Sequence, residues 1–324
     1  MHATKYRTNL PQTNGRLLLA DGGIETVMVF QEGVDLPCFA AFALLRTAAG
    51  RDRLRAYHRR YIDIARRDGL GVLLESATWR ASAGWGAKLG LAADEIAAVN
   101  RDAVAFLADL RAAEETDAMP MVISGCVGPR GDGYDPGAPM TEAEAETYHA
   151  HQIGTLAGTA ADMISALTMN NVAEATGAVR AAMAAAMPIA VSFTVETDGR
   201  LPTGQSLGDA VAQVDAATDG YPAYYMINCA HPTHFAHVLA GIGRIRGLRA
   251  NASRCSHAEL DNSETLDDGD PVELGRQFGD LVRANRRLTV LGGCCGTDHR
   301  HVGEISAAVR AMGLSGGLSG DHGA

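Results

Sequence analysis

Residues 288–297 read LTVLGGCCGT: an apolar run broken by two glycines, then two adjacent cysteines, then a polar stretch that opens a helix. A short buried strand, a glycine loop and a helix form the repeating unit of a parallel α/β sheet. The same unit recurs upstream in LLLAD (17–21), VLLES (72–76), MVISG (121–125), DMISAL (162–167), IAVSFTV (189–195), YYMIN (224–228) and GLRANAS (247–253). Helix-like segments rich in Ala, Glu and Arg follow them at 51–68, 94–113, 141–160, 171–186, 205–217, 232–243, 271–285 and 301–311, with Thr141 placed as an N-cap before EAEAE. Eight β/α units predict a single-domain (β/α)8 TIM barrel over residues 1–312, with a flexible Gly/Ser-rich tail at 313–324. A doubly wound open sheet would show the same alternation. Against it, the first run leads into LLLADGGIET, which carries no GxGxxG, and no change of composition marks a second domain.

The chain has 324 residues, is 47% hydrophobic and carries a formal net charge of −10. That length can bury a large core. The negative charge, with no dense Lys/Arg tract, argues against binding to nucleic acid or an anionic membrane surface and favours small-molecule partners. The opening MHATKYRTNLPQTNG has no apolar signal-peptide core, and no segment approaches the roughly 18 uninterrupted apolar residues of a membrane span. A cytoplasmic protein is expected. Its six cysteines are then expected to be thiols or metal ligands rather than a disulfide framework.

In such a barrel, residues that end strands converge on one face. Cys229 follows the sixth run, and Cys294 and Cys295 follow the eighth. Three thiolates form a soft ligand set suited to Zn2+, and three protein ligands leave its fourth tetrahedral position open, as in catalytic sites. Gly292, Gly293 and Gly296 would give the cysteine pair its backbone freedom. Two blander readings stand beside this one: a disulfide between Cys294 and Cys295, and, for lone cysteines such as Cys38 and Cys255, burial as small hydrophobes. Cys126 reads as pocket lining.

LADGGIET (19–26), SGCVGPRGDGY (124–134), INCAHPTHF (227–235) and LGGCCGTDHRHV (291–302), in this order, resemble the zinc-dependent homocysteine S-methyltransferases, which include betaine and S-methylmethionine methyltransferases. The resemblance runs from about Leu17 to Met312. It implies a (β/α)8 barrel, zinc held by Cys229, Cys294 and Cys295, and an amino-acid substrate near Asp21. The activity it implies moves a methyl group from an onium donor of the S-methylmethionine, S-adenosylmethionine or betaine type to the thiolate of homocysteine, giving methionine. Gly22 and Gly23, whose amides could approach a ligand, and Glu75 and Asn228 complete the expected substrate side. The expected partners are a small-molecule thiol and a methyl-onium donor, and a homo-oligomer is compatible with the sequence. Trp79, Trp85, Tyr224 and Tyr225 include candidate faces for the donor cation.

The chain departs from the family pattern in two places. Where family members read like ETNTFxAS, residues 75–82 read ESATWRAS, with Ala77 and Arg80 at pocket-shaping positions. Where an acidic residue usually ends the fourth strand, Leu167 stands. Either another acid substitutes, Glu75 and Glu196 being nearest, or the acceptor is a thiol other than homocysteine. Glu25 reads as a solvated first-turn acid. A non-catalytic zinc barrel is the competing class, with His231 or His234 as a fourth protein ligand.

Overall fold

The computed structural model describes residues 3–262 and 265–313, so the expected tail from 314 onward, like residues 1–2 and 263–264, lies outside the described residues. Eight parallel strands close into a barrel in sequence order, β1 (Leu18–Leu19), β2 (Gly71–Glu75), β3 (Met121–Val127), β4 (Met163–Met169), β5 (Ile189–Phe193), β6 (Tyr224–Asn228), β7 (Ile245–Ala250) and β8 (Val290–Gly293). Each strand is followed by its crossover helix: α1 (Ala48–Asp68), α2 (Ala93–Glu114), α3 (Glu142–Ala157), α4 (Val172–Ala184), α5 (Leu207–Ala217), α6 (Pro232–Leu239), α7 (Pro271–Ala284) and α8 (His299–Arg310). The open-sheet alternative is excluded because Leu18 pairs with both Gly71 and Val290, joining β1 to β2 and to β8.

Strand burial explains why the apolar runs are continuous rather than alternating. One set of side chains packs outward against the helices, while Leu18, Leu73, Val122, Met163, Ala190, Met226 and Val290 fill the barrel interior. The N-terminal segment closes the lower end, where Gln12 Nε2 donates to Tyr224 Oη at 3.2 Å. Asp162 also lies there, accepting from Arg111 Nη1 at 2.6 Å and from the Ile123 amide at 2.9 Å. Thr141 caps α3 as expected, and Glu144 Oε2 answers by accepting from the Thr141 amide at 2.8 Å. Several expected boundaries shift by a few residues, α6 and β7 among them. α6 stops at Leu239, four residues before 243, and β7 begins two residues before 247 and ends at Ala250. No described helix is long and apolar enough to cross a membrane.

Candidate active site at the barrel mouth

The thiols arrive from two strand ends. Cys229 follows β6 and the Cys294–Cys295 pair follows β8, on either side of β7. Cys229 holds φ at 53°, a region costly for any residue with a Cβ. Its neighbours fix it there: its amide donates to Arg249 O at 3.0 Å, and its carbonyl accepts from Asn251 Nδ2 at 3.1 Å and His257 Nε2 at 2.6 Å. At the pair itself, the Gly293 amide donates to Asp21 O at 2.9 Å and the Cys294 amide to Ala250 O at 2.8 Å.

The glycines act differently from expectation. Only Gly296 of the three takes a positive φ, 76°. Gly292 and Gly293 are needed for space: a Cβ on Gly292 would stand 2.8 Å from Ala20 Cβ, and one on Gly293 only 1.9 Å from Thr297 Oγ1.

Cys229 and Cys294 are joined as a disulfide with a Cα–Cα distance of 5.3 Å, and Cys295 Sγ lies 3.6 Å from Cys229 Sγ. This corrects the expectation of free thiols, and the bridge joins two loops rather than the adjacent pair. Neighbouring residues stand about 3.8 Å apart at Cα, short of the usual disulfide span, whereas 229 and 294 fall within it. Among the described residues, the sulfurs of Cys229, Cys294 and Cys295 form the one group of potential metal ligands lying within 4.8 Å of one another. Two sulfurs each about 2.3 Å from one tetrahedral zinc stand roughly 3.8 Å apart, so the 3.6 Å separation and the all-thiol donor set fit zinc once the bridge is reduced. His231 and His234 are outside this group. His231 caps α6 through Thr233, burial pushes its pKa down to about 4, and His234 Nε2 pairs with Arg254 O at 2.9 Å.

Beside the sulfurs, a cleft of about 700 Å³, open mouth included, is lined by Asp21, Gly22, Gly23, Glu75, Leu167 and Arg249, among others. Arg249, the penultimate residue of β7 and buried, organises the charge. Its Nη2 donates to Asp21 Oδ1, its Nε donates to Gly293 O at 3.1 Å, and its Nη1 lies 3.6 Å from Glu75 Oε1. Tyr57 Oη completes the Asp21 carboxylate at 3.0 Å. Burial works against the Arg249 charge, but Asp21 and Glu75 outweigh it and hold its pKa above the ordinary value. Burial pushes the Glu75 carboxyl up, against the pull of Arg249. Arg249 Nη1 has no hydrogen-bond partner of good geometry, and the Glu75 oxygens have none either, Ser165 and Ser124 only helping to hold the carboxyl's pKa down from nearby.

Leu167 points into the barrel interior and lines this cleft. The register slips between Ala166 and Met169, where Thr168 takes φ 61°. Asn228 holds the slip in place. Its Oδ1 accepts from the Thr168 amide at 2.8 Å and from Ser192 Oγ at 2.6 Å, while its Nδ2 donates to Thr168 Oγ1 at 2.8 Å and faces Cys294 Sγ at 3.8 Å.

A second, outer chamber of about 1100 Å³, solvent included, opens above the first and shares Glu25, Thr26, Trp79, Tyr134 and Cys295 with it. Tyr134 stacks on His257 at 4.0 Å between ring centres and brings its Oη to 3.4 Å from Cys295 Sγ. Glu25, expected to be solvated, lies between the chambers, and burial pushes its carboxyl up to about 7.

Residues 18–309 match the family model for homocysteine S-methyltransferase. The chain belongs to that family. It is therefore an enzyme of the methyltransferase class. No curated protein sequence matches it significantly. Among solved structures, it is similar to the homocysteine methyltransferase MmuM from Escherichia coli in its oxidized form, with 21% identity, TM-score 0.71, and coverage of 94% of this chain and 99% of that one. The metallated form of MmuM matches with 20% identity, TM-score 0.71, and coverage of 93% and 99%. At those identities the likeness speaks to the fold.

Within this homocysteine S-methyltransferase barrel, the residues named from sequence part company. The amide of Gly23 is engaged with Thr297 O at 3.0 Å, and a Cβ there would meet Cys294 O at 2.6 Å, so the glycine serves close packing against the cysteine loop. Glu196 is absent from the inner cleft and faces His257 Nδ1 at 3.3 Å. Trp79 lines both chambers, whereas Tyr224 is buried in the lower barrel and Tyr225 Oη donates to Asp215 on the outer, helix-facing side at 2.8 Å. Cys126 lines the cleft as expected, its thiol pushed up by burial. Cys38 and Cys255 are exposed, contrary to the expectation of burial, because neither sits on a barrel strand: Cys38 lies in the short 3-10 helix Pro37–Phe39 and Cys255 in the connection after β7. The sequence reading missed Arg249 and Tyr134 and misread Glu25 as solvated. The signal for Arg249 was a charge inside the otherwise small and apolar run GLRANAS.

Proposed function

We propose that the protein transfers a methyl group from an onium donor to the thiolate of homocysteine, forming methionine, with zinc held by Cys229, Cys294 and Cys295. The observation that carries this reading is the convergence of three sulfurs at the edge of a cleft that also presents Glu75, Asp21 and Arg249. Bound zinc would strip the proton from a substrate thiol and present it as a thiolate. The new S–CH3 bond forms as the methyl–onium bond breaks, and that bond's electron pair leaves with a neutral sulfide or amine. The rest is positioning.

With Leu167 in the usual acidic position, the ammonium of the acceptor falls to Glu75, whose two oxygens lack good hydrogen bonds. Asp21 keeps Arg249 in place and sets the local field, and Arg249 Nη1 is available to the acceptor's carboxylate. Asn228 acts as a positioning residue, fixing the Thr168 turn that aims Leu167 into the cleft and holding Cys294. Exclusion of water falls to Trp79 and Tyr134 at the junction of the chambers.

Thiol ligands of this kind call for a reducing compartment, which supports a cytoplasmic location. A second reading, the same chemistry on a thiol without the homocysteine ammonium, is favoured by Leu167 itself. Zinc analysis of reduced protein, together with turnover of homocysteine against a panel of onium donors, separates the two. Expected are about one zinc per chain and methionine formation, with both lost in Cys294→Ser. Zinc-loaded protein that methylates other thiols but never homocysteine would establish the second reading. Full zinc and full activity in Cys294→Ser would overturn the site.

A further inference from the structure

The outer chamber holds a cation in an unusual setting. Arg80 stands among its lining residues, with its guanidinium carbon 3.8 Å from the ring centre of Trp85 and 4.8 Å from that of Trp79. Stacked in this way, the planar fork has little freedom left. It is half-buried, yet among the described residues no carboxylate stands within ion-pair distance of it and it makes no hydrogen bond; its Nε is buried without a partner. Asp132 and Glu25 line the same chamber and act on it only through space. A buried Nε left unsatisfied is costly unless a ligand completes it, and the two terminal nitrogens are not taken up by any protein partner among the described residues.

A bare onium donor would be repelled by this charge. A donor carrying both an onium centre and a carboxylate would not. The rest of the chamber suits the onium end: Trp79, Tyr134 and the exposed Phe30 and Phe39 present aromatic faces, and Glu25 lies where the chamber meets the thiols.

We infer that Arg80 anchors the carboxylate of a zwitterionic methyl donor, so that the outer chamber selects onium carboxylates over onium compounds lacking the acid. This rests on the methyl-transfer reading above for its purpose, though the binding preference can be tested without turnover. The arrangement places the carboxylate beside the two tryptophans and directs the methyl-bearing end toward Cys295 and the inner cleft. Arg80 is thereby a specificity-determining residue, and its chemistry is that of a bidentate carboxylate clamp.

Trp79 and Trp85 are the two tryptophans of the chain, so intrinsic fluorescence reports on this contact directly. Reduced wild-type protein, with and without zinc, is titrated with matched pairs: glycine betaine against choline, and S-methylmethionine against its methyl ester. Loss of a charge-assisted contact corresponds to about a tenfold to hundredfold change in affinity. The acid member of each pair is expected to bind tighter by that factor. Arg80→Leu should erase the difference by weakening only the acid member, and Arg80→Lys should restore part of it. Equal binding within each pair in the wild type, or equal weakening of both members in Arg80→Leu, would overturn the inference. So would absence of binding by all four probes. Discrimination in binding without any methyl transfer to homocysteine would leave Arg80's role intact and remove the proposed function. Turnover without discrimination would do the reverse.

Discussion

Replacing Arg249 with methionine keeps the length of the side chain and removes the one charge that balances Asp21 and Glu75. All three groups are buried, with Arg249, Asp21 and Glu75 side chains 6%, 7% and 5% exposed. Breaking a buried ion pair from one side leaves the other charge uncompensated, at a cost of about 3–5 kcal/mol. A protein of ordinary stability, roughly 5–15 kcal/mol, would survive this at neutral pH with a much lower urea midpoint. The pH dependence is the sharper part. Without Arg249 the folded-state pKa of Glu75, already raised by burial, rises further above that of the unfolded chain. A carboxyl with a raised folded pKa binds its proton more tightly when folded, so the deficit is greatest above that pKa and shrinks as pH falls through it. Each carboxyl that titrates in the interval returns about 1.4 kcal/mol per pH unit. Urea unfolding of wild type and Arg249→Met at pH 7.5 and 5.5 is the assay, with Arg249→Met/Asp21→Asn/Glu75→Gln expected to recover much of the loss. A deficit below about 1 kcal/mol at pH 7.5, or one unchanged at pH 5.5, would refute the account of Arg249 as the charge organiser.

Gly293→Ala should force Thr297 away from Cys294 O, which its Oγ1 reaches at 2.7 Å, and overpack the loop at a cost of about 1–3 kcal/mol; zinc titration should show weakened affinity, and unchanged affinity would contradict the spatial role given to this glycine. Asp298 caps α8 and accepts from the Arg300 amide at 2.8 Å and Gln31 Nε2 at 2.8 Å, and despite the cost of burial these partners, with His301, hold its carboxyl well below the ordinary range. Asp298→Ala should therefore lose about 2–3 kcal/mol at pH 7. Because the folded pKa is depressed, that contribution is complete above the unfolded value near 3.8 and fades as pH falls below it, so denaturation curves of the two proteins should converge only in strong acid.

Most of the barrel was legible because its cause is local and repeated. A strand buried on both faces must be apolar throughout, and a crossover helix must be amphipathic; eight such alternations announce themselves without reference to one another. Cys229 and the Cys294–Cys295 pair were legible for a related reason, since each directly follows a strand and barrel closure carries strand ends to one face. The roles of Gly292 and Gly293 were half legible: that small residues were needed showed in the sequence, but whether for angle or for space depended on Ala20 and Thr297, which approach from other loops.

What the sequence determined by itself was the architecture and the convergence of three cysteines at one face, because both follow from residue types along strands and at their ends. Only the tertiary structure decided the charge of the site. Arg249 meets Asp21 across 228 positions of sequence, Glu196 turns away to His257, and Arg80 lies against two tryptophans with no acid within ion-pair distance among the described residues. Electrostatic partnership depends on distance in space and on the water excluded from it, and neither quantity is written in the order of the residues.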